Sequence, residues 1–197
     1  MLRKTRRHWA ERAAQREFGK DSRGSTAVEF AIVAPVFLMV MFSIFEVGWF
    51  FFANSVVDAT VGDAARRIKT GQVQKSFGDM DDKYDDMFAD ICNVLDTFGD
   101  CDDRLTIEVD TFDSFTTLAA DNTPATCADA PPDDLAAIPF NPGDELQIVR
   151  VRICYLYRTL NPAIGLNLAE PGTNKRRLIS TAIFRNEPYE LNNRDDD

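Results

Sequence analysis

AIVAPVFLMVMFSIFEVGWFFFA, residues Ala31 to Ala53, decides the architecture of this 197-residue chain. Only Ser43 and Glu46 interrupt its apolar run. At ~1.5 Å per residue a helix of this length covers the roughly 30 Å of bilayer hydrocarbon. A buried core helix is the competing reading. It accounts less well for Trp49 and the Phe cluster at the far edge, which suit the aromatic belt at a membrane–water boundary. The segment is therefore read as a single transmembrane helix, spanning about 27–53, with the lipid bilayer as its partner.

Charge divides around this segment. Residues 1–24 hold 8 of the 22 Lys/Arg and 3 of the 32 Asp/Glu residues, which leaves 14 basic against 29 acidic residues in the remainder. A basic leader of net +5 thus precedes an acidic part of net −15, within a formal total of −10. The positive-inside rule leaves the leader in the cytoplasm and sends the acidic part across the membrane. The acidic total argues against a nucleic-acid partner, because a binder of phosphates needs a basic surface. A hydrophobic content of 45% is too high for a wholly disordered chain. The single histidine, His8, lies in the leader, which removes His-centred triads and His-metal sites from the candidate chemistries. A cleavable secretory signal fits poorly, since the apolar run exceeds a typical h-region of ~7 to 15 residues and no convincing A-x-A site closes it.

The informative motif lies on the other side of the apolar run. Arg23-Gly24-Ser25-Thr26-Ala27-Val28-Glu29-Phe30 places a glycine after the basic leader, an acid five positions on, and then an aromatic. This register resembles the processing site of type IV prepilins, and more narrowly that of the Flp/Tad class. The resemblance implies a membrane aspartyl prepilin peptidase as partner, cutting after Gly24 so that the mature chain begins at Ser25. Glu29 would then be the fifth residue and Phe30 the sixth. A glycine before the scissile bond lets the backbone fit closely in a protease groove. An acid such as Glu29 at the edge of hydrocarbon costs a few kcal/mol without a partner. Cleavage would create one, the α-amino group of Ser25 about 6 Å up the helix axis, or that of a neighbouring subunit. Ala27, Ala31 and Pro35 recur at four-residue spacing, a small-residue face on which another helix could approach. Glu46, followed by Gly48, Trp49 and later Ala64-Ala65-Arg66, is similar to the TadE-like branch of the Flp/Tad family. The long exported part, unlike the very short major Flp pilins, points to a TadE-like minor pilin.

Beyond the span, Val57, Val61, Ala64 and Ile68 continue a helical stripe, and Arg66, Arg67 and Lys69 before Gly71 signal its end, so one helix is expected from Ser25 to about Thr70. Met80, Tyr84, Met87, Phe88, Ile91, Leu95 and Phe98 suggest a second helix. The aspartates among them, from Asp79 to Asp90, lack the glycine and terminal glutamate of a calcium loop and read as a solvated face. Leu105, Ile107 and Val109 alternate with polar residues as a strand does. Ala119 to Pro142 reads as a Pro/Ala/Asp-rich loop. Val149 to Arg158 alternates as a half-buried strand, and Leu178 to Arg185 reads as the last strand before Asn186-Glu187-Pro188. The expected fold is α+β: a long N-terminal transmembrane and amphipathic helix, then a second helix packed on a small antiparallel sheet of three or more strands. Residues 71–197 form the exported domain, ending in a disordered acidic tail. A strand closing on Arg-Asn-Glu-Pro is also similar to the end of TadE-like chains.

All four cysteines, Cys92, Cys101, Cys127 and Cys154, lie on the exported side, where an even number reads as disulfides with three possible pairings. Cys92 with Cys101 and Cys127 with Cys154 is the favoured set, free buried cysteines being the other option. Neither a cofactor nor a metal site is expected, since CxxC spacing and exported histidines are absent. The resemblance implies a structural minor pilin or pseudopilin supporting surface attachment. It would sit in a bacterial inner membrane with its domain in the periplasm, alongside other Flp/Tad pilins and the inner-membrane assembly platform. A plain membrane-anchored envelope scaffold is the alternative. An anchored enzyme built on paired carboxylates is a third class, but no pair stands out among so many surface acids.

Overall fold

The computed structural model describes residues 24–127, 138–160 and 166–189. The basic leader before Gly24, the centre of the Pro/Asp-rich loop and the acidic tail lie outside the described residues. The first element, α1 (Ser25–Lys69), is one helix of 45 residues that runs through Pro35. It stops where the sequence signals it. The Thr70 N–H and Oγ1 both donate to the Arg66 carbonyl, at 3.1 and 2.9 Å. Gly71 turns the chain at φ 75°, and a Cβ there would fall 2.6 Å from the Tyr189 ring, so only glycine fits without strain. Arg66, Arg67 and Lys69 occupy the last turn, against the negative end of the helix dipole.

Two halves of α1 differ in their surroundings. From Ser25 to Phe42 every residue except Ala34 is exposed, and this half is long and apolar enough to cross a membrane. From Glu46 onward a stripe of Ala53, Val57, Val61, Ala64 and Ile68 is buried under the rest of the chain. That spacing keeps one face toward the core through about four turns.

A one-turn helix α2 (Gln72–Lys75) leads to α3 (Met80–Leu95). The start of α3 is set by aspartates: Asp79 accepts from the Asp81 and Asp82 N–H groups at 3.1 and 3.0 Å, while Asp82 accepts from the Asp79 N–H at 3.2 Å. This is a capping box, so part of the acidic run shapes the helix terminus. Tyr84, Met87, Ile91 and Leu95 are buried on the inner face, and Met80, in the first turn, is exposed. A 3-10 turn (Asp96–Phe98) then lays Phe98 against Trp49 and Phe52, with ring centroids 5.4 and 5.5 Å away.

β1 (Leu105–Phe112), a short helix α4 (Phe115–Ala120), β2 (Ile148–Arg158) and β3 (Lys175–Arg185) complete the chain. The strands form one antiparallel sheet in the order β1-β2-β3. The architecture is α+β, as expected. Leu105, Ile107 and Val109 of β1 and Val149, Val151, Ile153, Tyr155 and Tyr157 of β2 fill the core against α1 and α3. β3 begins three residues earlier than its apolar pattern indicates, because Lys175, Arg176 and Arg177 pair with Arg158, Tyr157 and Leu156.

The expectation of a half-buried β2 needs correction. Its polar face is covered too, so ten of its eleven residues are buried. The cover is the segment after α4. Arg150 pairs with Asp110 across the sheet at 2.8 Å and with Asp121 of the covering segment at 2.7 Å. Arg152 pairs with Glu108 at 2.9 Å and donates to the Thr123 carbonyl at 2.6 Å, and the Thr126 N–H donates to Glu108 at 3.2 Å. One of two disulfides anchors the cover and the other ties α3 to the start of β1. Cys127 is joined to Cys154 on β2, and Cys92 at the end of α3 is joined to Cys101 just before β1.

Candidate functional site

The first candidate region is the start of α1. Gly24 occupies the N-cap position at φ −82° and ψ −16°, a conformation open to any residue. Nothing lies within 4 Å of where a Cβ would sit. Neither backbone strain nor packing among the described residues therefore accounts for a glycine here. One turn on, the Ser25 hydroxyl donates to the Glu29 carboxylate at 3.1 Å. The carboxylate thus already leans toward position 25, on the i, i+4 geometry of a helix face. Phe30 is 72% exposed, and Ala27, Ala31 and Pro35 are exposed along one face. Among the described residues no hydrogen bond or ion pair joins this edge to the domain, and its side chains are exposed.

Glu46 lies in a different environment. It is only 2% exposed, although its neighbours Phe45 and Ile44 are open to the surroundings. The end of β2 covers it: the Leu160 N–H donates to Glu46 Oε1 at 3.0 Å. Three residues earlier, Ser43 Oγ donates to the Met39 carbonyl at 2.7 Å and accepts from the Leu166 N–H at 3.0 Å. Ser43 and Glu46, the two polar residues of the apolar run, therefore satisfy backbone donors of the β2–β3 connection. Tyr157, edge-on to Phe50 with centroids 5.8 Å apart, lies beside the same carboxylate. Burial, and secondarily the Glu46 charge, push the Tyr157 hydroxyl pKa up, so this group stays protonated and available as a donor.

The sequence pattern singles out Glu46 but gives no sign of its partners, which lie more than a hundred positions away. Ser43 is missed altogether, although its place one turn before Glu46 on the same face is a signal. Gly48, the other half of the Glu-x-Gly pair, has open space around its Cβ position. At the far end of the domain the Arg-Asn-Glu-Pro close is a clamp. Asn186 is buried and donates through Nδ2 to the Pro142 and Asp144 carbonyls at 3.0 and 2.8 Å. The Glu187 N–H donates to the Lys69 carbonyl at 2.9 Å, tying the end of β3 to the end of α1.

The head's best-defined carboxylates serve structure. Asp121 accepts from the Thr123 hydroxyl and, at 2.9 Å, from the Thr123 N–H, besides its pair with Arg150. The Thr123 hydroxyl first, its N–H next and then Arg150 hold the Asp121 carboxyl down at about 2.

Comparison with curated proteins and with solved structures finds no match. The family comparison does: residues 24–66, from the glycine before α1 to the first arginine of its last turn, match the TadE-like protein family, which this segment of the chain resembles.

Proposed function

We propose that the protein is a minor pilin or pseudopilin of a Flp/Tad pilus, anchored by α1 in the inner membrane with its domain in the periplasm. In this reading a prepilin peptidase cuts between Gly24 and Ser25. The helix that remains on the product then packs with other Flp/Tad pilins on the inner-membrane assembly platform, in support of surface attachment. The observation that carries the reading is the start of α1, inside the TadE-like segment. There a glycine that nothing among the described residues requires sits one turn before a carboxylate already directed at residue 25.

The chemistry is consistent with that sequence of events. A free Ser25 amine would be a cation at the helix N-terminus, where the dipole disfavours it, so an adjacent Glu29 carboxylate offsets the cost. The exposed apolar half of α1 offers packing surface, and small side chains at Ala27 and Ala31 permit close approach. Cleavage would also remove a net +5 and leave side chains at −15, so the acidity belongs to the exported head.

Intact mass and N-terminal sequencing of membrane-extracted protein test the proposal. The expected product starts at Ser25 in cells with the peptidase and is lost in Gly24→Ala or in cells without it. A chain that keeps its leader in peptidase-positive cells would sink the processing step and leave the membrane-anchored scaffold.

A further inference from the structure

The apolar surface of α1 does not end where the domain begins. Leu160 and Leu166 of the β2–β3 connection are 63% and 49% exposed, and the hydrogen bonds to Glu46 and Ser43 hold their backbones beside α1. Both leucines are thus held on the rim of the domain at the same height along α1 as the exposed Ile44 and Phe45. From Ser25 to Phe42 the fully exposed part of α1 contributes about 27 Å at ~1.5 Å per residue, already close to a hydrocarbon thickness. On this reading the hydrocarbon ends near Phe42, short of the 27–53 expected from the apolar run alone, and Ser43, Glu46 and the rim attached to them lie at the level of the lipid headgroups.

Charge at this rim runs against the rest of the domain, since its acid, Glu170, is taken up by Arg177 at 2.9 Å. The chain after Gly24 carries 29 acids against 14 bases, yet β2 ends on exposed Arg158, and β3 opens with Lys175 opposite it and exposed Arg176 next to it. Exposed leucines flanked by arginines have the composition of a surface that lies on an anionic membrane. The apolar groups enter the headgroup boundary and the cations are drawn to the anionic headgroups beside them.

We propose that this rim, with Leu160 and Leu166 flanked by Arg158 and Arg176, seats on anionic phospholipid and fixes the domain's height and orientation on the bilayer. The proposal rests on the reading that α1 spans the membrane, and its test separates the two.

The full chain carrying Trp9→Phe and Trp49→Phe is reconstituted in phosphatidylcholine/phosphatidylglycerol vesicles containing lipids brominated near the headgroup end of the acyl chain. Val40→Trp reports the span and Leu166→Trp reports the rim, with Leu160→Trp as a second rim probe. Intact disulfides by mass identify folded variants. Both reporters should lose emission, the rim reporter by roughly twofold at shallow bromine positions. The rim effect should diminish when phosphatidylglycerol is omitted or when Arg158→Glu and Arg176→Glu are added. Quenching of Val40→Trp without either rim probe overturns the proposal and leaves the span. Quenching of neither site overturns the span, and the proposal with it. Rim quenching indifferent to lipid charge and to both reversals overturns the assignment to anionic lipid.

Discussion

At Glu46 one carboxylate performs two tasks that the apolar run around it would otherwise forbid. It accepts the Leu160 N–H, a donor with no strand partner, and it stands next to the Tyr157 hydroxyl. The acceptor is buried and the bond partly so, and a desolvated donor left unmade costs up to about 1–3 kcal/mol, more than the net gain of the bond when made. Glu46→Ala should therefore destabilise the domain by about 1–3 kcal/mol, whereas Glu46→Gln, which keeps an acceptor in the same place, should lose less than half of that. Denaturant unfolding in detergent, followed by near-UV circular dichroism from the buried tyrosines, measures the difference. Equal losses in the two variants would mean that the charge, and not the acceptor, holds the junction. The contact was not legible in the sequence because hydropathy reports an isolated acid in an apolar helix. Its partner is a backbone N–H, which has no signature in any sequence.

Elements were more legible than contacts, for reasons of period. The stripe of Val57, Val61, Ala64 and Ile68 predicts a helix buried on one face, and Gly71 after three cations predicts its end within one residue. Alternation in Leu105–Asp110 and Val149–Arg158 predicts two strands, since only the core side must be apolar. The same rule gives a solvated outer face, and there it misleads. Arg150 and Arg152 read as solvent residues until the register sets them opposite Asp110 and Glu108 and the segment 121–127 closes over them. Cross-strand charge pairs can be read only once the pairing is known. The covering segment should respond to acid. The Asp121 carboxyl is held at about 2 against an ordinary 3.8, so its contribution is complete above the ordinary value and is lost as pH falls through about 2. Asp121→Asn should be less stable than the native chain at pH values well above the carboxylate range, and the gap should close on acidification to about pH 2. Thermal melts of both proteins across that range test it. A gap that stays constant would mean that the carboxylate charge contributes nothing to closing the sheet.

On the scale of the whole molecule, α1 is one rod with two dependencies. Its first half is apolar and exposed among the described residues, while its second half supplies a wall of the domain's core. Folding of the head and insertion in the membrane should then be separable by one substitution in the second half. Val57 is 1% exposed, under the sheet, and Val57→Asp would bury a carboxylate with no partner supplied. The cost of such a charge is several kcal/mol even after relaxation, comparable to the total stability of a small domain. The stretch from Ser25 to Phe42, which carries the apolar anchor, is untouched by the change. The variant chain should therefore still sediment with membranes and resist carbonate extraction, while its domain becomes sensitive to added protease in opened cells and the native chain's stays resistant. Replacing the exposed Asp58 next to it, as Asp58→Asn, should alter neither property and controls for charge as such. A Val57→Asp chain that leaves the membrane would show that the head contributes to anchoring. One that stays protease-resistant would show that the wall formed by α1 is dispensable, and that the rod and the head are not built as a single piece.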